Sequence, residues 1–147
     1  LCFDHDPDWP VKVVPVAVNV IQHPLPTALR CWKLGQAIRE AVASYPKDTK
    51  VVILGTGGMS HQLNGARFGY LNTDFDNDFL DKIEADPMTL TELTHQQIME
   101  DAGAEAVELI MWLTMRGALD GPVRRVHRNY YAPMTTGMGL IALEEAS

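Results

Sequence analysis

The segment GTGGMSHQLNG at residues 55–65 carries the side chains best suited to chemistry, and it directly follows the apolar run VVIL at residues 51–54. An apolar strand that ends in a glycine-rich turn is typical of ligand sites in α/β proteins. Because the turn presents Ser60 and His61, three chemistries must be compared: phosphate binding, acyl transfer by Ser60 and proton transfer by His61.

Phosphate binding and acyl transfer fit this turn poorly. A phosphate loop needs a lysine that the turn lacks, and a dinucleotide-binding GxGxxG would need glycine in place of Ser60. A serine nucleophile needs the pattern GxSxG, but Gln62 stands where the second glycine belongs. A histidine adjacent to Ser60 cannot readily turn back to act as its base, so we do not expect Ser60 to be a nucleophile.

His61 is the remaining candidate of the turn, because an imidazole accepts and returns a proton near neutral pH. A lone histidine in a turn more often bonds neighbouring backbone groups. Its position at the end of a predicted strand favours the catalytic interpretation.

Glu108, within the apolar sequence VELIMWL, allows two interpretations. Its helical spacing from Asp101 and Glu105 predicts a carboxylate that faces solvent. A carboxylate held against an apolar wall would instead need a metal or a positively charged partner to stay ionised.

The other polar residues with metal-binding potential do not form a local motif. His5, His23, His95 and His127 show neither HxxxH nor HxxEH spacing. The acidic run of Asp74, Asp76 and Asp78 begins like a calcium loop, but it lacks the following glycine and the final glutamate. We interpret it as the acidic N-terminal turn of a helix.

Composition excludes several classes of function. A chain of 147 residues with 46% hydrophobic and 21% charged residues suits one globular domain or a large piece of one. Its net charge of −7 argues against nucleic acid or an anionic membrane as a partner, and no apolar stretch approaches the length of a membrane span. Cys2 and Cys31 predict neither a disulfide framework nor a zinc site, so we expect a cytoplasmic protein.

The elements around the turn alternate between strand and helix. Residues 11–20 and 50–54 predict strands, and Thr27 can cap a helix between them that runs to about Tyr45. Strand, helix and strand in this order predict an α/β fold with a parallel layer. The predicted apolar face of the helix comprises Leu34, Ala37, Ile38, Ala41 and Val42.

The remainder of the chain predicts more helix and a final pair of strands. A helix starts within the acidic segment 72–81, and residues 94–119 are mostly helical with an interruption near Gly103. Residues 123–143 predict two strands that return to the sheet. The buried face of the acidic helix is predicted to be Phe75, Phe79, Leu80 and Ile83.

Four segments together carry a family resemblance: QHPLPTALRCWKLGQAIREA, VVILGTGGMSHQLNG, AGAEAVELIMWLTMRGAL and VHRNYYAPMTTGMGL. They resemble the carboxy-terminal half of the catalytic subunit of class III extradiol ring-cleaving dioxygenases, in the group of protocatechuate 4,5-dioxygenase and gallate dioxygenase. The resemblance runs over nearly the whole chain and implies a layered α/β/α sandwich with a mixed, largely parallel sheet.

The resemblance implies an Fe(II) cofactor held by two histidines and one glutamate, with room for a catecholic aromatic acid and O2. The glutamate ligand falls on Glu108 and the acid/base residue on His61. Thr135 and Thr136 fall where a substrate is contacted. A threonine pair resembles the gallate-type enzymes, whereas protocatechuate-cleaving relatives tend to carry serine and asparagine there. A pair of strand threonines chosen for β propensity is the alternative interpretation.

The resemblance also implies that residues 1–147 are the carboxy-terminal part of the catalytic domain. The two histidine ligands of the family lie in an amino-terminal half that this sequence does not include, so we expect the isolated chain to be inactive and to expose a sheet edge and part of its core. A homodimer, or association with a small helical subunit or domain, is expected of the complete protein. Two other hypotheses remain open: a non-catalytic binding relative of the same fold and a serine hydrolase that uses Ser60.

Overall fold

The structure is a computed structural model that describes residues 11–146. Within these residues it contains helices and one hairpin of strands. The helices are α1 (Ala28–Ala43), α2 (Thr73–Ala85), α3 (Pro87–Leu90), α4 (His95–Ala102) and α5 (Ile110–Gly117), with a 3-10 helix at Ala104–Leu109. Strands β1 (Val123–Tyr131) and β2 (Met138–Glu145) pair antiparallel.

The two amino-terminal strands of the prediction do not form. Residues 11–20 and 50–54 have no strand partner in the described part of the chain, so the mixed helix-and-strand class is confirmed but the parallel layer is not. A strand needs a neighbour for its backbone hydrogen bonds, and β propensity alone does not supply one. Both segments expose apolar side chains, as expected for an open edge; Val14 is 85% exposed and Leu54 73%.

The helix starts follow from capping residues in the sequence. The Thr27 side chain accepts a hydrogen bond from Arg30 N, which confirms the predicted cap of α1. Asn72 caps α2 in the same way, and Thr94 forms a reciprocal capping box with Gln97 at the start of α4. These caps satisfy backbone N–H groups that have no partner inside the helix.

The buried face of α1 differs from the predicted one. The buried residues are Ala28, Cys31 and Gly35, whereas Ala37, Ala41 and Val42 are exposed. The reason is the close approach of α5: a Cβ at Gly35 would lie 2.2 Å from Thr114 O, and a Cβ at Gly117 would lie 2.4 Å from Trp32 O. Small residues therefore let the two helix backbones come into contact. For this reason the face of α1 with small residues is buried, and not the face with larger apolar side chains that periodicity predicts.

The core lies where α2, α4 and α5 converge. On α2 the predicted face is confirmed, since Phe79, Leu80 and Ile83 are buried and Phe75 packs against them. The Phe79 and Trp112 rings meet edge to face with centroids 6.1 Å apart. No helix within residues 11–146 has both the length and the apolarity needed to cross a membrane.

The two carboxy-terminal strands are confirmed, but instead of returning to a larger sheet in the described chain they form a two-stranded hairpin that arginines join to α2. Arg128 pairs with Asp81 and also donates to the Asn77 backbone carbonyl, while Arg125 lies 3.3 Å from Glu84. These contacts hold β1 against α2, and the connection between the strands, residues 132–137, meets the glycine-rich turn through the Gly137 backbone.

We predict that Gly35→Ala destabilises the fold by about 1–3 kcal/mol, because the added methyl group overlaps the Thr114 carbonyl oxygen in a contact with no free space. Thermal unfolding followed by circular dichroism measures the effect. Gln36→Ala, at an exposed position of the same helix, is the matched control and should change stability little. An unchanged melting temperature for Gly35→Ala would show that α1 and α5 are not packed as described.

Candidate active site

The backbone of His61 is fixed against the break between α4 and the 3-10 helix. His61 N donates to Ala102 O over 2.8 Å. Gly103 makes this contact possible: its φ is +102°, and a Cβ there would lie 2.1 Å from His61 O. Gln62 continues the attachment, because its Oε1 accepts from Ala104 N at the start of the 3-10 helix. The helix interruption predicted near Gly103 is therefore confirmed, and the backbone of His61 packs against it.

The His61 side chain has one nitrogen engaged and one free for chemistry. The ring is buried, with 6% of the residue exposed, and Nδ1 lies 2.7 Å from Met59 O. A carbonyl oxygen only accepts hydrogen bonds, so we assign the proton of the neutral ring to Nδ1. Nε2 has no hydrogen-bond partner among the described residues and carries the lone pair that can take up a proton.

Glu108 faces the glycine-rich turn, so of the two interpretations of this residue the solvent-facing one, which helical spacing favours, does not hold. It is half-buried on the 3-10 helix, and its Oε2 accepts a hydrogen bond of 2.8 Å from Gly58 N. The helical spacing from Asp101 fails because the chain breaks at Gly103 and continues as a 3-10 helix, which changes the rotation per residue.

Gly57 and Gly58 bring three of the four predicted site residues together. A Cβ at Gly57 would lie 2.7 Å from Glu108 Cβ, and a Cβ at Gly58 would lie 3.0 Å from both His61 Cε1 and Thr136 Cγ2. His61 and Thr136 also form an isolated antiparallel bridge. The turn is thus surrounded by Glu108, His61 and Thr136.

Thr135, the fourth predicted site residue, lies at the margin of this group. Its Cγ2 would be 3.8 Å from a Cβ at Gly69, which is an ordinary van der Waals separation. The side chain is half-buried and belongs to the same connection as Thr136. The structure therefore brings it near the turn without placing it against Gly57 or Gly58.

Ser60 is turned away from this group into a buried polar network. Its Oγ donates to Asp76 Oδ2 over 2.6 Å and accepts from Asn72 N, and its own N donates to Asp76 Oδ1 over 2.8 Å. Ser60 and Asp76 are both fully buried. A serine with its oxygen engaged in this way is not presented to a substrate, which agrees with the expectation that it is not a nucleophile.

Asp76 is a buried polar residue beside this group that the sequence patterns above do not single out. They place it in an acidic helix end, yet it lies fully inside the molecule. The sequence does contain a signal: Asp76 precedes Phe79, Leu80 and Ile83 by three, four and seven residues, which is the spacing of the buried face. Asp74 and Asp78 are exposed, as expected for the end of a helix.

Tyr130 completes the network from strand β1. Its hydroxyl donates to Asp76 Oδ2 over 2.7 Å. Burial, together with the hydrogen bond and negative charge of Asp76, raises the pKa of Tyr130 to about 12, because both oppose formation of a phenolate. The phenol is therefore a permanent donor over the physiological pH range.

The described residues offer one carboxylate to a metal rather than a complete site. Residues 11–146 contain no cluster of three or more His, Cys, Asp or Glu side chains that could hold an ion. His95 Nε2 lies 2.9 Å from Pro26 O, His127 is exposed on β1, and Cys2 and His5 lie outside the described residues. Glu108 fits the role of one ligand: Gly58 holds Oε2, while Oε1 has no hydrogen-bond partner in the described part of the chain.

A separate cavity of about 580 Å³ lies away from these residues, beside Trp32, Arg39 and Arg116. Arg116 is buried there and donates to the Ile83 and Gly121 carbonyl oxygens. Its guanidinium also lies over the Trp32 ring. These contacts give it a structural role in joining α1, α2 and α5.

Comparison with known proteins identifies relatives of one kind. Residues 3–141 match the family described as the catalytic LigB subunit of aromatic ring-opening dioxygenase. A gallate dioxygenase of Pseudomonas putida is 50% identical over 95% of this chain, which covers 41% of that protein. A 2,3-dihydroxyphenylpropionate/2,3-dihydroxicinnamic acid 1,2-dioxygenase of Burkholderia vietnamiensis is 27% identical over 73% of the chain and 47% of its own length. The chain thus spans less than half the length of these relatives.

We predict that the stabilising effect of the Tyr130 hydroxyl depends on pH. Because the folded-state pKa lies above the value of about 10 for a free tyrosine, the effect is complete below about pH 10 and is lost as the pH rises towards about 12. Urea unfolding of the wild type and Tyr130→Phe at several pH values should give a difference in unfolding free energy that shrinks over this interval.

Tyr131→Phe is the matched control, because Tyr131 is the next residue on β1 and is 67% exposed. It should retain the pH dependence of the wild type. A Tyr130→Phe difference that stays constant up to pH 12 would contradict the hydrogen bond to Asp76.

Proposed function

This chain belongs to the family of catalytic LigB subunits of aromatic ring-opening dioxygenases, and we propose that the complete protein cleaves the ring of gallate with O2 in an Fe(II)-dependent extradiol reaction. The observation that carries the proposal is the convergence of Glu108, His61 and Thr136 around Gly57 and Gly58. The 50% identity to a gallate dioxygenase supports the choice of substrate. Protocatechuate is the alternative catecholic acid.

The complete catalytic domain, in this proposal, is a layered α/β/α sandwich of which residues 1–147 form the carboxy-terminal part. The exposed β-branched segments 11–20 and 50–54 support this, since each has the composition of a strand but lacks a neighbour in the described chain. Further residues of the complete protein would supply those neighbours and the other iron ligands. A homodimer, or a small helical subunit or domain, is the proposed wider assembly.

Glu108 is the proposed iron ligand of this chain. One oxygen of its carboxylate is held by the Gly58 N–H, which leaves the other oriented and available. Carboxylate and imidazole groups together suit non-haem Fe(II), which in such enzymes supplies a common binding position for the catechol oxygens and O2. The Gly57 backbone packs against Glu108 Cβ and so limits the movement of the Glu108 side chain.

His61 is the proposed acid/base residue. With Nδ1 donating to Met59 O, Nε2 can accept a proton from a ring hydroxyl of the substrate and later return it. The Met59 carbonyl also stabilises the charged imidazolium, because Nδ1–H remains its donor in both protonation states. The buried backbone contacts on both sides of the turn limit reorientation of the ring.

Thr135 and Thr136 are the proposed substrate contacts. Thr136 supports this role because it pairs with His61 across the isolated bridge and lies against Gly58. Thr135 is adjacent on the same connection, and its hydroxyl can donate to or accept from a third ring hydroxyl or a carboxylate. The Ser60 hydrolase alternative is disfavoured because the serine is fully buried and bonded to Asp76.

We predict O2 uptake by the iron-loaded complete protein with gallate, at a higher kcat/KM than with protocatechuate. An oxygen electrode measures the uptake, and absorption spectra follow the ring-opened product. Replacing Thr135 by Ser and Thr136 by Asn should move the ratio towards protocatechuate. An unchanged ratio would remove the specificity role of the pair, and absence of uptake with bound iron would point to a different catechol. A protein that binds no iron would favour a non-catalytic relative.

We also predict that His61 and Glu108 separate catalysis from iron binding. His61→Phe should retain the iron content of the wild type and lose turnover by about 100- to 10,000-fold, the usual contribution of a positioned acid/base group. Glu108→Ala should lose iron itself, as measured by metal analysis after gel filtration. Normal turnover by His61→Phe, or normal iron content in Glu108→Ala, would contradict the corresponding role.

A further inference from the structure

We propose that Asp76 is a positioning residue that holds the His61 turn and the Thr135–Thr136 connection in a common register. The contacts of the described residues support the structural role of Asp76. Its consequence for turnover rests on the proposed function. The Asp76 side chain forms no hydrogen bond with His61, Thr135 or Thr136, so it would act on them through Ser60, Tyr130 and the backbone.

The Asp76 carboxylate is satisfied by hydrogen bonds alone. It accepts from Ser60 N, Ser60 Oγ and the Tyr130 hydroxyl, at distances between 2.6 and 2.8 Å. Among the described residues no Lys, Arg or His forms an ion pair with it. A fully buried carboxylate without a cation is costly unless its donors are held in place. The buried carboxylate therefore keeps Ser60 and Tyr130 in fixed positions.

The same carboxylate meets the connection between the strands at Gly137. A Cβ there would lie 2.2 Å from Asp76 Oδ2 and 3.1 Å from the Tyr130 hydroxyl oxygen, so only glycine fits. Gly137 also exchanges two backbone hydrogen bonds with the turn: Met59 N donates to Gly137 O, and Gly137 N donates to Ser60 O. Asp76 thus touches both partners of this short backbone pairing.

Three segments consequently depend on one side chain. Asp76 belongs to α2, whose N-cap Asn72 is bonded through its N–H to Ser60 Oγ. Ser60 immediately precedes His61, and Gly137 immediately follows Thr136. Replacing Oδ2 by an NH2 group leaves the hydroxyls of buried Ser60 and half-buried Tyr130 without their acceptor, and the turn must move to satisfy them. Such a movement displaces His61 and the threonine pair relative to each other.

The test uses Asp76→Asn in the complete iron-loaded protein, with Asp78→Asn as the matched control. Asp78 lies on the same helix but is exposed and paired with Lys82. An amide is nearly the same size as the carboxylate. It presents N–H groups to the Ser60 and Tyr130 hydroxyls, which donate to Asp76 in the wild type. Kinetics with gallate are measured per mole of folded, iron-containing protein, well below the melting temperature.

We expect Asp76→Asn to lower kcat on the order of 10- to 100-fold, as a displaced acid/base group would, and to raise KM several-fold through the threonine connection. Iron content should remain that of the wild type. Hydrogen exchange should become faster in peptides covering residues 55–65 and 132–140 but not in α5. Asp78→Asn should leave all of these values unchanged.

A folded Asp76→Asn with wild-type kcat, KM and exchange in both segments would overturn the proposal, as would a lower melting temperature without a change in kcat and KM. Should Asp76→Asn fail to fold, two milder variants replace it: Ser60→Ala removes the two hydrogen bonds of the Ser60 hydroxyl, and Tyr130→Phe removes the one from Tyr130 to Asp76. Each should then show smaller effects in the same direction, and wild-type values in both would overturn the proposal. If the wild type itself does not cleave gallate, the proposed substrate is wrong, and faster exchange in both segments of Asp76→Asn would still support the structural role of Asp76.

Discussion

The hydrogen bond from Gly58 N to the Glu108 carboxylate is the contact on which the arrangement of the site depends. This hydrogen bond brings the glycine-rich turn against the 3-10 helix. Glu108 lies on one side of Gly57 and Gly58, and His61 and Thr136 lie on the other side. Side chains at Gly57 or Gly58 would occupy space already filled by these residues. The Glu108 and His61 side chains therefore lie against adjacent glycines of one short segment, as the roles proposed for them require.

The surrounding packing keeps this arrangement in place from two directions. On one side, the break at Gly103 receives the His61 backbone and leads directly into the 3-10 helix that bears Glu108. On the other side, the core of α2 carries the buried network of Asp76, Ser60 and Tyr130. Apolar packing supplies most of the stability, but it has no directional preference. The buried hydrogen bonds supply the direction, because each of them is satisfied in only one register of the turn.

Ser60 and His61 show how neighbouring residues of a turn divide two tasks. Ser60 enters the core and bonds Asp76, while His61 lies against Thr136 and Gly58. The serine fixes the backbone and the histidine is left free at Nε2. Of the two potentially reactive side chains, only Ser60 has its reactive atom bonded within the core of the described chain.

The sequence by itself determined the helices, the two carboxy-terminal strands and the identity of the key turn, because caps, periodicity and glycine placement act over a few residues. Thr27, Gly103 and the face of Phe79, Leu80 and Ile83 are examples. Family resemblance selected Glu108, where helical spacing misplaced it. Only the tertiary structure decided that Gly35 and not Val42 faces the core, and that residues 11–20 and 50–54 pair with no strand in the described chain. These outcomes depend on which segments approach each other over long sequence distances, and no local preference of the residues contains that information.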